Sequence, residues 1–340
     1  MRNFRLVRFG SPEGIERHDE AIPAGGAYDV TIRVRAAALN YRDVMIMNGV
    51  YPIPVKAAVV PLSDGAGEVV EVGANVSRFV VGDRVCSTYF MRWFGGRLTR
   101  ESAVHQFGAT HDGWLTTYHV ADESGLVKIP EHLSFEEAAC YPCAGLTAWS
   151  AIMKGRPLLP GEQCLVVGGG GVALFAIQFA RLAGARVISV TTNPAKAALM
   201  RRLGADHVVV AAAADDWSAS VLQLTAGRGV DHVVDAVGPP TLMRSIMACG
   251  LDAEIALAGA FPLGDAAFDP GVLMGRLVTI RRLAVGSRED AEDMMRAVAD
   301  HRHRPTISRV FPFDDASAAY GYLIAGGATG KLVIEGNTSE

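Results

Sequence analysis

The chain has few cysteines, little charge and no long continuous apolar run, and each shortage excludes a class of protein. Five cysteines in 340 residues, an odd number, do not suit a disulfide framework, so the sequence predicts a protein of a reducing compartment, the cytoplasm. Charged residues make up only 20% of the chain, and 36 acidic against 32 basic side chains leave a net charge of −4. Such a chain has no bulk attraction for nucleic acid or an anionic membrane. We therefore expect a small-molecule substrate, with no nucleic-acid partner and no membrane partner.

A stretch without charge, residues 163–180, is interrupted by four consecutive glycines. A helix that spans a membrane needs about 20 consecutive apolar residues. Here Gly168 to Gly171 separate a short apolar run from a segment with helical periodicity. The stretch therefore predicts a strand, a loop and a helix rather than a membrane span.

Two parts of the chain differ in their hydrophobic periodicity. In the first third, alternation from Tyr28 to Val34 and short apolar runs between glycines predict a small β-barrel, followed by a loop excursion over residues 87–115. From about residue 160, apolar strands alternate with helices, which predicts a doubly wound parallel sheet. We expect its strands at 163–168, 186–190, 207–210, 230–236 and 255–258. Two more strands, 308–311 and 331–335, and helices at 289–301 and 314–325 follow. At about 150 residues per domain, this length predicts two domains.

The glycine run occupies the turn from the first predicted strand of the parallel sheet to its helix. Residues 168–173 have the pattern G-x-G-x-x-A, a variant of the dinucleotide-binding fingerprint. Gly168 permits the tight turn, Gly170 lets the backbone approach a pyrophosphate, and the helix that begins at Gly171 and Val172 offers unpaired N–H groups. The motif is weak alone, but its place in a βαβ unit supports a dinucleotide site. A glycine-rich turn without a ligand is the alternative.

The end of the next strand bears on which nicotinamide cofactor is bound. An NAD site usually has Asp or Glu at this position, whereas this chain has Thr191, Thr192 and Asn193, followed by Lys196. The absence of a carboxylate removes repulsion against a 2′-phosphate, and Lys196 could pair with that phosphate. The pattern favours NADPH, with NADH as the alternative.

Cys140 and Cys143 have the C-x-x-C spacing of thiol–disulfide enzymes, in which a helix N-terminus lowers the thiol pKa. Half of a zinc site is a second interpretation, although the chain has no second cysteine pair. We favour a third, in which two small buried residues lead into a helix at 144–153.

Seven further motifs are spread over almost the whole chain: Leu39–Asp43, Asn48–Pro52, Pro61–Val69, Val81–Val85, Ala144–Trp149, Leu203–Asp206 and Gly330–Lys331. With these motifs the chain resembles the medium-chain dehydrogenase/reductase superfamily, and within it the zinc-free, quinone-oxidoreductase-like alcohol dehydrogenases. The resemblance implies a GroES-like β-barrel domain, residues 1–126 and 288–340, and a Rossmann domain, residues 127–287. It also implies an active site in the cleft between the domains, and a homodimer.

The resemblance also predicts that no zinc is bound. Zinc-dependent relatives hold the catalytic ion with a Cys at the position of Asn40, a His at the position of Ser63 and a third ligand near Cys143. Asn and Ser are poor zinc ligands, and a catalytic zinc normally needs three protein donors. Asp64, where zinc-dependent relatives carry a glutamate, does not rebuild the site with Cys143. Residues 87–130 contain no cysteine for a structural zinc lobe.

Five catalytic candidates lie near the nicotinamide according to the resemblance. Tyr51 matches a tyrosine that donates a proton or anchors the substrate in related enoyl and quinone reductases. Asn40 can donate a hydrogen bond to a substrate carbonyl. Asp43 is expected to orient its neighbours, and Tyr41 faces either the substrate or the core. Ser63 bonds the substrate or the carboxamide, or caps a turn.

Further cofactor-binding candidates come from the resemblance and from the carboxyl ends of parallel strands, where ligands bind in open α/β sheets. Thr147 matches a threonine that contacts nicotinamide, and Lys331 matches a lysine that often contacts the cofactor. A solvated lysine on an edge strand is the alternative for Lys331. The strand-end candidates are Val237, Gly238, Gly259 and Ala260.

Taken together, these features predict a zinc-independent, NAD(P)H-dependent oxidoreductase. It would move hydride between nicotinamide and a carbonyl, an enone or a quinone, and the cofactor would supply the hydride chemistry. Without zinc, nothing obvious lowers the pKa of an alcohol, which disfavours simple alcohol oxidation. Two alternatives remain: a catalytically silent, crystallin-like nucleotide-binding protein, and a thiol oxidoreductase that uses Cys140 and Cys143.

Overall fold

A computed structural model describes residues 1–260 and 269–336. The chain divides into two compact units: unit 1 is Met1–Leu146 with Gly286–Glu340, and unit 2 is Thr147–Val285. The sequence placed the first boundary after residue 126, but residues 127–146 belong to unit 1 in the structure. Among the described helices, none combines the length and the apolarity that a membrane crossing requires.

Most of the regular elements in the N-terminal part of unit 1 are strands. These are β1 (Arg2–Leu6), β2 (Ile15–Asp19), β3 (Asp29–Leu39), β4 (Asp64–Val72), β5 (Arg84–Ser87), β6 (Tyr118–Asp122) and β7 (Leu126–Lys128). The short helices are α1 (Tyr41–Met47), α2 (Arg100–Ala103) and α3 (Phe135–Ala138). Since β7 pairs with β5 and α3 packs on β3 and β4, the chain beyond residue 126 continues the core of unit 1.

Unit 2 is a parallel sheet with helices between its strands. Its helices are α4 (Leu146–Met153), α5 (Gly171–Leu182), α6 (Ala197–Arg202), α7 (Ser218–Leu224) and α8 (Pro239–Ala248). Its strands are β8 (Gln163–Val167), β9 (Arg186–Thr191), β10 (His207–Val210), β11 (Val230–Asp235), β12 (Cys249–Leu257) and β13 (Val278–Arg282). The order is β10-β9-β8-β11-β12-β13, and every neighbouring pair is parallel. The predicted doubly wound sheet is confirmed, with β13 as a strand that the sequence analysis did not identify.

Helix α4 begins at Leu146, two residues later than the sequence predicted. The preceding segment, Tyr141–Gly145, forms a π-helical turn that contains Cys143. The chain therefore enters the helix through a wider turn than an α-helix has.

The C-terminal part of the chain completes unit 1. It contains α9 (Arg288–Asp300), β14 (Ile307–Phe311), α10 (Ala316–Ile324) and β15 (Lys331–Glu335). The order in the large sheet of unit 1 is β14-β15-β3-β4-β5-β7, and β6 also pairs with β3. Strand β15 runs antiparallel to β3, with Leu332 opposite Leu39. The start of β15 and the end of β3 therefore lie side by side.

The core of unit 1 is closely packed at Gly65 on β4. A Cβ atom at this position would overlap the indole ring of Trp114, which is fully buried. We expect Gly65→Ala to lower the free energy of unfolding by about 1–3 kcal/mol, because an overpacked core forces side chains and backbone to shift. Chemical denaturation measures this change.

Gly321→Ala is the matched control for this substitution. Gly321 lies in α10, where an added Cβ would meet no atom of the described chain within 4 Å. Alanine in a helix is favoured over glycine by about 0.5–1 kcal/mol, so this variant should be as stable as the unchanged protein or more stable. Equal stability of the two alanine variants would contradict the packing at Gly65.

Candidate active site

The glycine loop of unit 2 joins β8 to α5 and leaves open space at Gly170. Gly168 has a φ of +115°, a left-handed conformation that glycine adopts without strain. A Cβ atom at Gly170 would meet no atom of the described residues within 4 Å. Helix α5 begins at the next residue, and the first N–H groups of a helix lack partners within it. Open backbone at a helix N-terminus suits an anionic group such as a pyrophosphate.

Lys196 reaches the glycine loop from the turn after β9. Its Nζ donates a hydrogen bond to the Gly169 carbonyl oxygen at 3.0 Å, and burial lowers the pKa of this lysine. Thr191 is buried, and its hydroxyl oxygen accepts from the N–H of Asn193 at 3.2 Å. The Asn193 side chain caps the following turn, and Thr192 is exposed. Of the predicted residues after β9, Lys196 is thus a cation beside the glycine loop, whereas Thr191 and Asn193 shape the turn.

The loops after β11 and β12 lie against each other. A Cβ atom at Gly238 would lie 2.6 Å from the carbonyl oxygen of Gly259, so glycine is needed here for close approach of two backbones. Asp235, which the sequence analysis missed, holds the first loop by accepting from the N–H groups of Val237 at 3.1 Å and Gly238 at 2.8 Å. Burial raises the pKa of Asp235, and these hydrogen bonds oppose the rise. Ala260 is exposed beyond the second loop.

Two predicted residues lie on helices of unit 2. Thr147 is buried on α4, and Val172 is half-buried in the first turn of α5. Ala173, beside it, is fully buried, as expected where a helix packs closely against a strand.

A buried charged cluster lies in unit 1 where β3, β4 and β15 are adjacent. The Nζ of Lys331 donates to the carbonyl oxygen of Leu39 at 2.7 Å and to Oδ1 of Asn40 at 2.5 Å. It also lies 3.5 Å from Oδ2 of Asp64. Lys331 is 4% exposed and Asp64 is 0% exposed. The alternative of a solvated edge-strand lysine is wrong, because β15 lies between β14 and β3.

The amide of Asn40 has a fixed orientation in this cluster. An ammonium group donates hydrogen bonds and cannot accept them, so the amide oxygen of Asn40 faces Lys331. The other end of the amide, Nδ2, is buried and has no hydrogen-bond partner among the described residues. Asn40 therefore holds a buried donor whose hydrogen-bonding capacity is unused among the described residues.

Asp64 accepts hydrogen bonds from two groups in the same cluster. The Ser63 hydroxyl donates to Oδ1 at 2.7 Å, and the backbone N–H of Cys143 donates to Oδ2 at 3.3 Å. Within residues 1–260 and 269–336, no three His, Cys, Asp or Glu side chains are grouped closely enough to hold a metal ion. The side-chain groups in contact with Asp64 are the hydroxyl of Ser63 and the ammonium group of Lys331, and neither is a usual zinc ligand.

The thiols of Cys140 and Cys143 lie in surroundings that oppose ionisation. Burial raises the pKa of Cys140 to about 12, and it raises the pKa of Cys143 as well, with the charge of Asp64 adding to the effect. The Cys140 thiol donates to the carbonyl oxygen of Glu136 at 3.2 Å. Thiol–disulfide exchange needs a thiolate, so these surroundings disfavour the thiol oxidoreductase alternative.

Tyr51 is part of a second polar cluster in unit 1. Its hydroxyl lies 2.6 Å from the hydroxyl of Tyr89 and donates to Oε1 of Gln106 at 2.9 Å. Because Tyr51 has a single hydroxyl hydrogen, Tyr89 is then the donor to Tyr51. The guanidinium of Arg42 lies 5.1 Å from the ring centroid of Tyr51 and 4.9 Å from that of Tyr89. Burial raises the pKa of Tyr89 well above its usual value, although Arg42 opposes the rise.

Asp43 connects this cluster with Asn40. One oxygen of Asp43 accepts from the backbone N–H of Asn40 at 2.8 Å, and the other lies 3.3 Å from Nη1 of Arg42. Burial raises the pKa of Asp43 to about 6, against the opposing effects of Arg42 and the Asn40 hydrogen bond. These contacts suit the predicted orienting role. Tyr41 is 42% exposed, so its alternative position in the core is wrong.

Sequence reasoning missed three residues that contact Tyr51. Arg42 lies inside the motif Leu39–Asp43 but is not among the five catalytic candidates. Tyr89 and Gln106 lie in the segment 87–115, which has no periodicity, and both are buried there. Buried polar side chains in an irregular segment can only be recognised once their partners are known.

Two family models match the chain. The model described as "Alcohol dehydrogenase GroES-like domain" matches residues 26–131, and the model described as "Zinc-binding dehydrogenase" matches residues 171–300.

Several named proteins are similar over most of their length. A zinc-type alcohol dehydrogenase-like protein of Schizosaccharomyces pombe is 36% identical over 314 residues, which cover 90% of each chain. A quinone oxidoreductase of Pseudomonas aeruginosa is 30% identical, over 98% of this chain and 99% of the relative. An acryloyl-coenzyme A reductase of Metallosphaera sedula is 28% identical, over 97% of this chain and 98% of the relative.

Solved structures show the same fold. An NAD-dependent alcohol dehydrogenase has a TM-score of 0.89 and 32% identity, over 98% of this chain and 99% of the other. A mycobacterial protein complexed with NADPH has a TM-score of 0.82 and 27% identity, over 98% of this chain and 100% of the other.

Proposed function

The chain belongs to the medium-chain dehydrogenase/reductase superfamily and is an NAD(P)-dependent oxidoreductase of that type, and on this premise we propose that it reduces a carbonyl, an enone or a quinone with NADPH, without zinc. The observation that carries the proposal is the Asn40 amide, which Lys331 orients and whose Nδ2 has no partner in the described part of the chain. A donor of this kind stabilises negative charge that develops on a carbonyl oxygen during reduction.

Each unit supplies one part of the chemistry. The open glycine loop of unit 2 suits the pyrophosphate, and the reduced nicotinamide supplies the hydride when bound. In unit 1, Asn40 holds the carbonyl oxygen of the substrate and Tyr51 provides the proton that the reduced product needs. The hydroxyl of Tyr89 donates a hydrogen bond to the oxygen of Tyr51, which stabilises the negative charge that Tyr51 gains when it gives up its proton.

The donor set supports a reaction that needs no metal. Asn40 and Ser63 replace two zinc ligands of zinc-dependent relatives, and the Ser63 hydroxyl donates to Asp64. An ammonium group stands beside both Asn40 and Asp64, where it repels a divalent cation. Turnover is therefore expected to survive prolonged dialysis against a chelator.

Two of the named relatives support a conjugated carbonyl as the substrate class. They are a quinone oxidoreductase and an acryloyl-coenzyme A reductase, whose named substrates both contain an alkene conjugated to a carbonyl. In such substrates hydride can add to carbon while the oxygen gains negative charge, which is the charge that Asn40 can stabilise. The proposal also includes a small-molecule substrate and a homodimer, and sedimentation of the purified protein measures the latter.

Cofactor consumption over a panel of substrates tests the proposed function. The panel contains quinones, enones and aldehydes, each with NADPH and with NADH, and the loss of nicotinamide absorbance is followed. We expect turnover of at least one conjugated substrate, faster with NADPH, before and after chelation. Tight NADPH binding with no turnover on any class would favour the silent nucleotide-binding alternative, and activity that chelation abolishes would contradict zinc independence.

Lys196→Gln tests the preference for NADPH. The substitution removes the positive charge beside the glycine loop but keeps most of the side-chain stem. We expect the dissociation constant of NADPH to rise about 10-fold and that of NADH by less than about 2-fold, because one charge-assisted contact to the 2′-phosphate is lost. Fluorescence titration measures both constants.

Arg201→Gln is the matched control, since it removes a positive charge from the exposed face of α6. It should leave both dissociation constants unchanged. An equal loss of NADPH and NADH affinity in Lys196→Gln would show that Lys196 supports the loop itself and does not select the 2′-phosphate.

A further inference from the structure

We propose that Lys331 is a positioning residue that acts through Asn40 and that its ammonium group takes the place of a metal ion in this site. The proposal rests on the proposed function, because Asn40 is the group that binds the substrate oxygen there. It differs from the sequence expectation for Lys331, which was contact with the cofactor.

Lys331 makes two hydrogen bonds and one ion pair inside unit 1. An ammonium group has three hydrogens and no acceptor. Three oxygens of unit 1 surround the Nζ of Lys331: the Leu39 carbonyl at 2.7 Å, Asn40 Oδ1 at 2.5 Å and Asp64 Oδ2 at 3.5 Å. With only 4% of the residue exposed, Lys331 has little surface for a phosphate of the cofactor. Two of its hydrogens are used in hydrogen bonds, and its charge faces Asp64.

The charges of the cluster are balanced without a metal. Asp64 faces Lys331 and Asp43 faces Arg42, and all four side chains are buried. Each buried carboxylate therefore has its own cation. A divalent ion in this cluster would add two positive charges next to an ammonium group and a guanidinium group.

The ammonium group changes what the Asn40 amide can do. A positive charge next to the amide oxygen draws electron density from the amide nitrogen, so the N–H of Nδ2 becomes a stronger donor. Surroundings of low dielectric constant strengthen this effect, and Lys331 and Asp64 are both buried. In zinc-dependent enzymes the metal ion polarises the substrate oxygen directly. Here Lys331 would polarise it through one amide group.

A double-mutant cycle tests whether Lys331 acts through Asn40. The single variants are Lys331→Met, which removes the charge but keeps a long side chain, and Asn40→Ala. We expect each to lower kcat about 100-fold, the loss that follows removal of one hydrogen-bond donor to an oxyanion. The double variant should be no more than about 3-fold slower than either single variant, since both changes remove the same interaction. If the kcat losses of the two single variants multiply in the double variant, the proposal is overturned.

Cofactor affinity distinguishes this role from contact with the nucleotide. In Lys331→Met the dissociation constant of NADPH, measured by fluorescence without substrate, should stay within about 2-fold of the unchanged protein, since one lost phosphate contact would raise it about 10-fold or more. Lys331→Arg should recover part of the lost kcat, because a guanidinium group can also donate to Asn40 and Asp64. A large rise in the NADPH dissociation constant with kcat unchanged would overturn the proposal in favour of cofactor contact.

Two controls keep the test decisive if Lys331→Met is unstable. The variant Lys331→Met with Asp64→Asn removes both charges of the pair and leaves no buried carboxylate without a cation, so it should fold while kcat stays low. Recovery of kcat in this variant would show that Lys331 only neutralises Asp64.

Lys128→Met, at an exposed lysine on β7, should leave kcat unchanged. Turnover in the unchanged protein with no effect of Lys331→Met refutes only the role of Lys331, whereas no turnover at all refutes the proposed function as well.

Discussion

Gly170→Val is expected to abolish NADPH and NADH binding while the protein stays folded. Gly170 has a φ of −91° and a ψ of −174°, an extended conformation that valine adopts readily. Its added side chain would meet no atom of the described chain near Cβ, so the fold without ligand has no reason to change. The same side chain would fill the space at the N-terminus of α5 where a pyrophosphate is expected.

The expected rise in the dissociation constant is about 100-fold or more, equivalent to about 3 kcal/mol. Fluorescence titration with each cofactor measures it, and thermal unfolding reports on stability. Gly170→Ala, with a smaller side chain at the same place, should give an intermediate loss, and Gly321→Ala should give none. Unchanged cofactor affinity in Gly170→Val, with unchanged Tm, would mean that the glycine loop is a structural turn and not a nucleotide site.

Tyr51→Phe is expected to lower kcat about 10²- to 10³-fold, because a positioned general acid contributes roughly that much to a proton transfer. The substitution removes one hydroxyl and leaves the ring beside Arg42. The Arg42 contact to Gln106 also stays in place, at 3.4 Å. The free energy of unfolding should fall by about 1–3 kcal/mol, because the buried hydroxyl of Tyr89 loses this acceptor.

Steady-state kinetics separate the two roles considered for Tyr51. A proton donor affects kcat, whereas a residue that only anchors the substrate affects KM with kcat nearly unchanged. Tyr89→Phe should lower kcat less, about 10-fold, because it removes only a hydrogen bond to the oxygen of Tyr51. Tyr28→Phe, at a tyrosine that is 55% exposed, should behave like the unchanged protein. A kcat within about 3-fold of normal in Tyr51→Phe would exclude Tyr51 as the donor.

The parallel sheet of unit 2 could be predicted because its apolar strands leave a direct trace in the sequence. Strands β8, β9, β10, β11 and β12 are short apolar runs, and helical patterns separate them. Strand β13 could not be predicted in the same way. Among the described strands it pairs only with β12, and its residues Thr279, Arg281 and Arg282 give it no apolar run.

The candidate site was predictable only in part. Asn40, Asp43, Tyr51 and Ser63 lie in motifs that can be read locally. The bond between Lys331 and Asn40 joins residues that are 291 positions apart, so no periodicity indicates it. It depends on the pairing of β15 with β3 and on burial of both ends.

The position of β15 within the large sheet has a consequence for biosynthesis. Unit 2 is a continuous stretch of chain, so a ribosome has released all of it before β15 is translated. Until then the end of β3, Ala36–Leu39, lacks the neighbour that covers it and exposes an open strand edge, the kind of surface that molecular chaperones shield and that aggregates form on. The nascent polypeptide can thus acquire its nucleotide fold early, but the ammonium group beside Asn40 arrives only with β15, so catalytic competence is delayed until translation is almost complete.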